Sequence, residues 1–194
     1  MRALEEKRDT KTLMLLFLIK NEGPVGRYRL DDMLNLPEGV VRGLLLNFLK
    51  NEDIAASKLG CRLTVKGKKF LKKLLTEYQI SQIKEFEMTG PLKIAEKNVA
   101  VQIKGGAKLV KSAMDQRDIA VRVGARGAIL LNYLNGTLVI PNVYSNLATK
   151  YPRLAESIIN SFKLSEGDAV IICGAENKWR ALEGSLAIAL SLEK

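Results

Sequence analysis

The stretch TLMLLFLIKNEGPVGRYRLDDMLNLPEGVVRGLLLNFLKNEDIAASKLGCRLTVKGKKFLKK, residues 12–73, decides the fold of the N-terminal half. Thr12 precedes an unbroken apolar run from Leu13 to Ile19. A run of about ten residues that is apolar on every side reads as a helix enclosed in a core. Asn21-Glu22-Gly23-Pro24 ends it, with a glycine and then a residue that cannot continue a helix. Val25 to Tyr28 reads as a short strand, and Leu30, Met33, Leu34 and Leu36 predict a second helix over 30–36. Pro37-Glu38-Gly39 turns the chain, after which Val40, Val41, Leu44, Leu45, Phe48 and Leu49 recur at spacings of three and four. That period buries one face of a third helix and leaves Glu38, Arg42, Gly43, Asn47 and Lys50 nearer the other.

Two short apolar segments follow, Ile54 to Ser57 and Cys61 to Thr64, around Lys58-Leu59-Gly60. They read as a β-hairpin. Thr64 is placed to cap a fourth helix through Lys66, Phe70, Leu71, Leu74, Leu75 and Tyr78, and Ile80, Ile83 and Phe86 extend its apolar pattern towards residue 86. Met88-Thr89-Gly90-Pro91 then interrupts it. The expected domains are therefore 1–88, ending in an extended helix, and 89–194.

Charge concentrates in the same stretch. The chain carries 31 Lys and Arg against 21 Asp and Glu, a formal charge of +10. Residues 1–80 hold 16 bases and 10 acids, and residues 81–194 hold 15 and 11. Lys58, Arg62, Lys66, Lys68, Lys69, Lys72 and Lys73 occur with no acid before Glu77. A polyanion partner is the simplest reading of that cluster. The solvated lysine-rich face of a thermophilic protein is its rival.

Composition narrows the chemistry. Histidine is absent, which removes the commonest general base and the commonest imidazole metal ligand. Cys61 and Cys173 are far apart and fit two buried thiols in a reducing cytoplasm better than a disulfide or a metal site. No apolar run approaches the roughly 18 residues that span a bilayer. These features point away from an enzyme and towards a cytoplasmic binding protein with no cofactor, no metal and no membrane contact.

The segments Leu36-Pro37-Glu38-Gly39-Val40-Val41-Arg42 and Arg62-Leu63-Thr64-Val65-Lys66-Gly67-Lys68 resemble those entering the third helix and leaving the wing in winged-helix transcription regulators. The resemblance implies an N-terminal winged helix-turn-helix whose third helix enters the major groove and whose wing touches backbone or minor groove. On that analogy Arg42, Asn47 and Lys50 face the groove, Lys58 and Arg62 meet phosphate from the wing, and Lys66, Lys68 and Lys69 add nonspecific attraction. The third helix departs from the pattern, because base reading prefers Arg, Asn or Gln at several consecutive exposed positions.

Beyond residue 97 the pattern changes. Val99, Val101 and Ile103 alternate as a strand, Gly105-Gly106 breaks it, and Ala107, Leu109, Val110 and Met114 suit a short helix. Ile119, Val121 and Val123 alternate as a second strand. Segments 128–134 and 137–140 flank Asn135-Gly136, a strong hairpin signal. A helix over 152–162, a strand over 169–173 and a helix over 179–192 complete an α/β domain with a mixed sheet, so that the whole chain is of the α+β class. Gly105, Gly106 and Lys108, with Lys111 beyond, are a candidate anion or ligand site at a helix start, although a plain turn is favoured. Gly124-Ala125-Arg126-Gly127 reads as a turn between strands, since it lacks the context of a dinucleotide or phosphate loop. Glu176 or Asn177 caps the last helix, with Trp179 as core anchor or interface.

The two-domain arrangement and the segment Ile119 to Pro141 are similar to an uncharacterised archaeal family with an N-terminal winged helix and a small C-terminal α/β domain. That second domain resembles, in broad topology, the insertion domain of bacterial aspartyl-tRNA synthetases, which keeps an RNA or tRNA association as an alternative. The expected function is a DNA-binding transcription regulator, a homodimer whose C-terminal domain dimerises or senses a small-molecule effector.

Overall fold

A computed structural model of the chain describes residues 2–110 and 113–192, with side chains from Asp9 onward. The chain divides into two compact units, Met1–Thr76 and Glu77–Lys194. The architecture is α+β, with helices dominating the first unit and a five-stranded sheet the second.

The first unit is built around α1 (Arg2–Glu22), whose residues Leu13, Met14, Leu15, Leu16, Leu18 and Ile19 are all buried. Helix α2 (Arg27–Leu34) follows, so the strand expected at 25–28 shrinks to Val25 alone. Gly26 adopts the extended N-cap conformation, and its carbonyl accepts from Leu30 N at 3.2 Å. Helix α3 (Glu38–Lys50) buries Val41, Leu45 and Phe48. Val40, expected in the core, is 48% exposed. The hairpin pairs β1 (Ile54–Ser57) with β2 (Gly60–Leu63) in the register Ile54↔Leu63. Thr64 caps α4 (Val65–Glu77), its hydroxyl accepting from Gly67 N at 3.0 Å.

Helix α4 does not run on to residue 86. Gln79 takes φ 57°, and Ile80–Glu85 becomes strand β3, pairing with β4 (Lys97–Ile103). The apolar positions Ile80, Ile83 and Phe86 suit a helix by spacing, but backbone pairing with β4 decides for the strand. The units consequently divide at Thr76/Glu77, earlier than the expected 88/89.

In the second unit, β5 (Gly127–Leu134), β6 (Thr137–Val139) and β7 (Ala169–Ala175) complete a sheet of order β3-β4-β7-β5-β6. Every neighbouring pair is antiparallel, so the sheet is not mixed. Helix α5 (Ala113–Arg122) occupies the segment expected as a strand from Ile119, Val121 and Val123. Its buried residues Gln116 and Ala120 stand one helical turn apart, and β-branched alternation imitated a strand. Gly124-Ala125-Arg126-Gly127 therefore joins a helix to a strand. After β6 come α6 (Leu147–Lys150) and α7 (Pro152–Ser161), and α8 (Lys178–Ser191) follows β7. Helix α8 packs on β4 and β7 and on α5. Ala155 and Ile158 of α7 join Phe162, Val170 and Ile172 in the core of the other face. Strand β7 is buried along its whole length, as a central strand covered on both faces must be. Asn135 and Gly136 take φ 50° and 73°, the double positive turn that their sequence predicts. Asn177, not Glu176, caps α8, accepting from Trp179 N and Arg180 N.

Asp168 ties one end of the sheet together. It is 1% exposed and accepts from Lys104 Nζ at 2.8 Å, Gln102 Nε2 at 2.7 Å, Ser165 N at 2.9 Å and Gly105 N at 3.1 Å. Burial opposes its ionisation, but the Lys104 ammonium, the two backbone N–H groups and the Gln102 amide outweigh burial and hold the carboxyl below its ordinary pKa. No helix among the described residues is long and apolar enough to cross a membrane. No group of three or more His, Cys, Asp or Glu side chains among them is placed to hold a metal ion.

A carboxyl with a depressed folded pKa stabilises the fold above its unfolded pKa, and that contribution disappears as pH falls through the folded value. Asp168→Ala is expected to destabilise the second unit by about 2 kcal/mol at pH 7, mostly through its orphaned donors, with the deficit shrinking below about pH 4. Urea unfolding followed by Trp179 fluorescence across that pH range checks it.

Candidate nucleic-acid interface

Helix α3 presents Arg42, Asn47 and Lys50 to solvent, as its period requires. The same helix exposes Val40 and Leu46, the latter 55% exposed, and the open positions Gly39 and Gly43. The outward face is thus two cations and one amide on a partly apolar surface. Glu38 at its start is held by Arg27, with Nη2 at 2.7 Å from Oε1, which lowers the repulsion that a free carboxylate would exert on phosphate.

The hairpin is fixed to the rest of its unit through Val25. Val25 N donates to Cys61 O at 3.0 Å, and Cys61 N donates back to Val25 O at 2.9 Å. Gly60 makes this approach feasible. It has φ 123°, and a Cβ there would lie 2.4 Å from the Val25 carbonyl carbon. At the tip, Ser57 Oγ accepts from Leu59 N and donates to Gly60 O. Lys58 and Arg62 are exposed on the hairpin, and Leu59 at the tip is 77% exposed.

Helix α4 adds Lys66, Lys68 and Lys69, with Lys72 and Lys73 one turn on, all exposed. Among the described residues, neither the two cations of α3 nor those of the hairpin and α4 take part in an ion pair. The unit Met1–Thr76 holds 16 bases against 9 acids, and Glu77–Lys194 holds 15 against 12. The uncompensated charge therefore belongs chiefly to the first unit.

The structure brings Asn47, Lys66 and Lys69 to one groove between α3 and α4, together with Lys73. Lys68 lies outside that groove, as do Lys58 and Arg62 on the hairpin and Arg42 and Lys50 on α3. Lys73 had a readable signal, since Lys66, Lys69, Phe70 and Lys73 share one helical stripe. The exposure of Val40, Leu46 and Leu59 had none, because an apolar residue in an amphipathic pattern reads as core.

Gly105, Gly106 and Lys108 belong to the second unit. The N–H of Gly105 is taken by Asp168, so this turn already holds an anion, and the anion is the protein's own carboxylate. A side chain on Gly106 would collide with Ile103. Lys108 is exposed, and Lys111 lies outside the described residues. Arg126 is likewise committed, pairing with Glu176 at 2.7 Å. Burial raises the Cys61 thiol and pushes Cys173 up to about 12, so both thiols are protonated at neutral pH and poor as nucleophiles.

Residues 94–192 match the family model described as Domain of unknown function (DUF4443). Among solved structures the chain is similar to the hypothetical protein PH0730 from Pyrococcus horikoshii OT3, at 30% identity and a TM-score of 0.74, over 95% of this chain and 91% of that one. No curated protein matches the chain.

Gly60 and Gly43 are expected to respond oppositely to alanine. Gly60→Ala should loosen the hairpin by about 2 kcal/mol through its φ and its clash with Val25, accelerating hydrogen exchange at the Val25 and Cys61 amides. Gly43→Ala, with nothing within 4 Å of its Cβ, should leave that exchange unchanged and stabilise α3 by about 0.5–1 kcal/mol.

Proposed function

The chain belongs to the DUF4443 family, and we propose that it is a nucleic-acid-binding protein whose first unit acts as a winged helix on duplex DNA. The observation that carries this reading is the row of exposed cations on the hairpin and α4 that have no carboxylate partner among the described residues. Such cations repel one another in the free protein, and a polyanion relieves that repulsion while releasing its own condensed counterions. The hairpin serves as the wing, with Lys58 and Arg62 on phosphate, and Lys66, Lys68 and Lys69 extend the attraction.

Arg42, Asn47 and Lys50 are the groups on α3 suited to base edges, and Val40 and Leu46 supply apolar surface for thymine methyl groups. Three polar groups carry limited sequence information, so most of the affinity comes from the backbone. A homodimer suits this arrangement, because two copies read two half-sites. The second unit supplies dimerisation or effector sensing, and the whole acts as a transcription regulator rather than an enzyme. The sparse base-reading face also favours a second reading, association with structured RNA through its backbone.

Fluorescence anisotropy with a labelled duplex over a salt series tests the proposal. Binding should weaken as salt rises, and Lys58→Gln with Arg62→Gln should flatten the log–log slope by about 2, near 0.9 for each lost phosphate contact. Affinity that is absent at low salt, or indifferent to salt, contradicts the reading. Preference for structured RNA in direct competition selects the second.

A further inference from the structure

The groove between α3 and α4 has properties that phosphate contact does not use. Its volume is about 520 Å³, within the range of about 300–1,000 Å³ typical of small-molecule sites. Both sides present positions at spacings of three and four: Leu44, Asn47 and Phe48 of α3 with Asn51 at its end, and Lys66, Lys69, Phe70 and Lys73 of α4. Two helical turns make such a stripe about 10 Å long. Leu44, Phe48 and Phe70 supply apolar wall, and lysine stems extend it while their ammonium groups stay at the solvent edge.

Charge is unevenly distributed along the groove. Asp53 also lines it, at the end where α4 begins, because Gly67 in the first turn of α4 abuts the Asp53 backbone. Lys66 shares that end. Lys69 and Lys73 lie further along α4, and neither has an ion-pair partner among the described residues. The groove thus offers an aromatic and aliphatic wall beside two ammonium groups that have no ion-pair partner among the described residues.

We infer that this groove binds a small amphipathic anion, an aromatic or alkyl body carrying one carboxylate, sulfonate or phosphate. The anionic head sits at Lys69 and Lys73, and the body packs against Leu44, Phe48 and Phe70. Such a ligand engages a lysine that the DNA-binding reading gives to phosphate, so it competes with nucleic acid. That consequence rests on the proposed function, whereas the site does not.

The test uses the full chain without nucleic acid and the fluorescent probe 1-anilinonaphthalene-8-sulfonate, with uncharged N-phenyl-1-naphthylamine as its neutral counterpart. The expected result is saturable binding of one sulfonate probe per chain, weakened about tenfold or more by Lys69→Met with Lys73→Met. Lys68→Met with Lys72→Met removes the same charge from α4 outside the groove and should change affinity less than about twofold. The neutral probe should bind more weakly than the sulfonate and respond to neither pair. All four lysines are exposed, so the variants retain the fold, which circular dichroism verifies. Absence of saturable binding overturns the inference, as does equal weakening by both pairs. Failure of DNA binding in the salt series leaves this result readable, because no nucleic acid is present.

Discussion

The candidate interface depends on the junction where α4 leaves the hairpin. Thr64 N donates to Asp53 O at 3.0 Å, the Thr64 hydroxyl donates to Glu52 O at 2.7 Å, and Asp53 N donates to Phe48 O at 2.9 Å. These bonds tie the end of α3, the base of the hairpin and the start of α4 into one knot. Gly67 completes it, since a Cβ there would stand 1.9 Å from the Asp53 carbonyl oxygen. No other residue permits that approach without moving one of the two backbones. With the knot in place, α4 runs beside α3, and its lysines at 66, 69 and 73 fall along the groove between them.

The same arrangement explains why the charge stays uncompensated. Elsewhere the bases of the described chain commonly find carboxylates, as Arg27 does with Glu38, Lys104 with Asp168 and Arg126 with Glu176. From Lys58 to Lys73 the sequence supplies no acid, and folding brings none within pairing distance among the described residues. Surface pairs contribute little stability in any case. Their absence therefore costs the fold little and leaves a field that acts on partners. On the proposed reading this division makes α3 a modest reader and the hairpin with α4 the main source of affinity.

Local features of the fold were legible in the residues themselves. The all-apolar run from Leu13 to Ile19, the hairpin around Lys58-Leu59-Gly60, the Thr64 cap and the Asn135-Gly136 turn each rest on neighbouring side chains and backbone. What escaped was decided by distant partners. Ile80 and Ile83 fit a helix until β4 supplies a strand to pair with. Ile119, Val121 and Val123 alternate like a strand, yet the segment packs as a helix on α8, so closely that a Cβ on Gly184 would stand 3.3 Å from the Ala120 Cβ. Gln102, Lys104, Gly105 and Ser165 converge on Asp168 only after the sheet has formed. Of the candidate site, the cations were readable as a cluster. Their division between groove and open surface required the relative placement of α3 and α4.

On the proposed reading the first unit carries the nucleic-acid surface. Mapping backbone amide shifts of the isotope-labelled chain during titration with a duplex of about two helical turns tests it most directly. Perturbations are expected on α3 between Val40 and Lys50, on the hairpin between Ser57 and Arg62, and along α4 from Lys66 to Lys73. Perturbations confined to residues 77–194, or none at low salt, would contradict it.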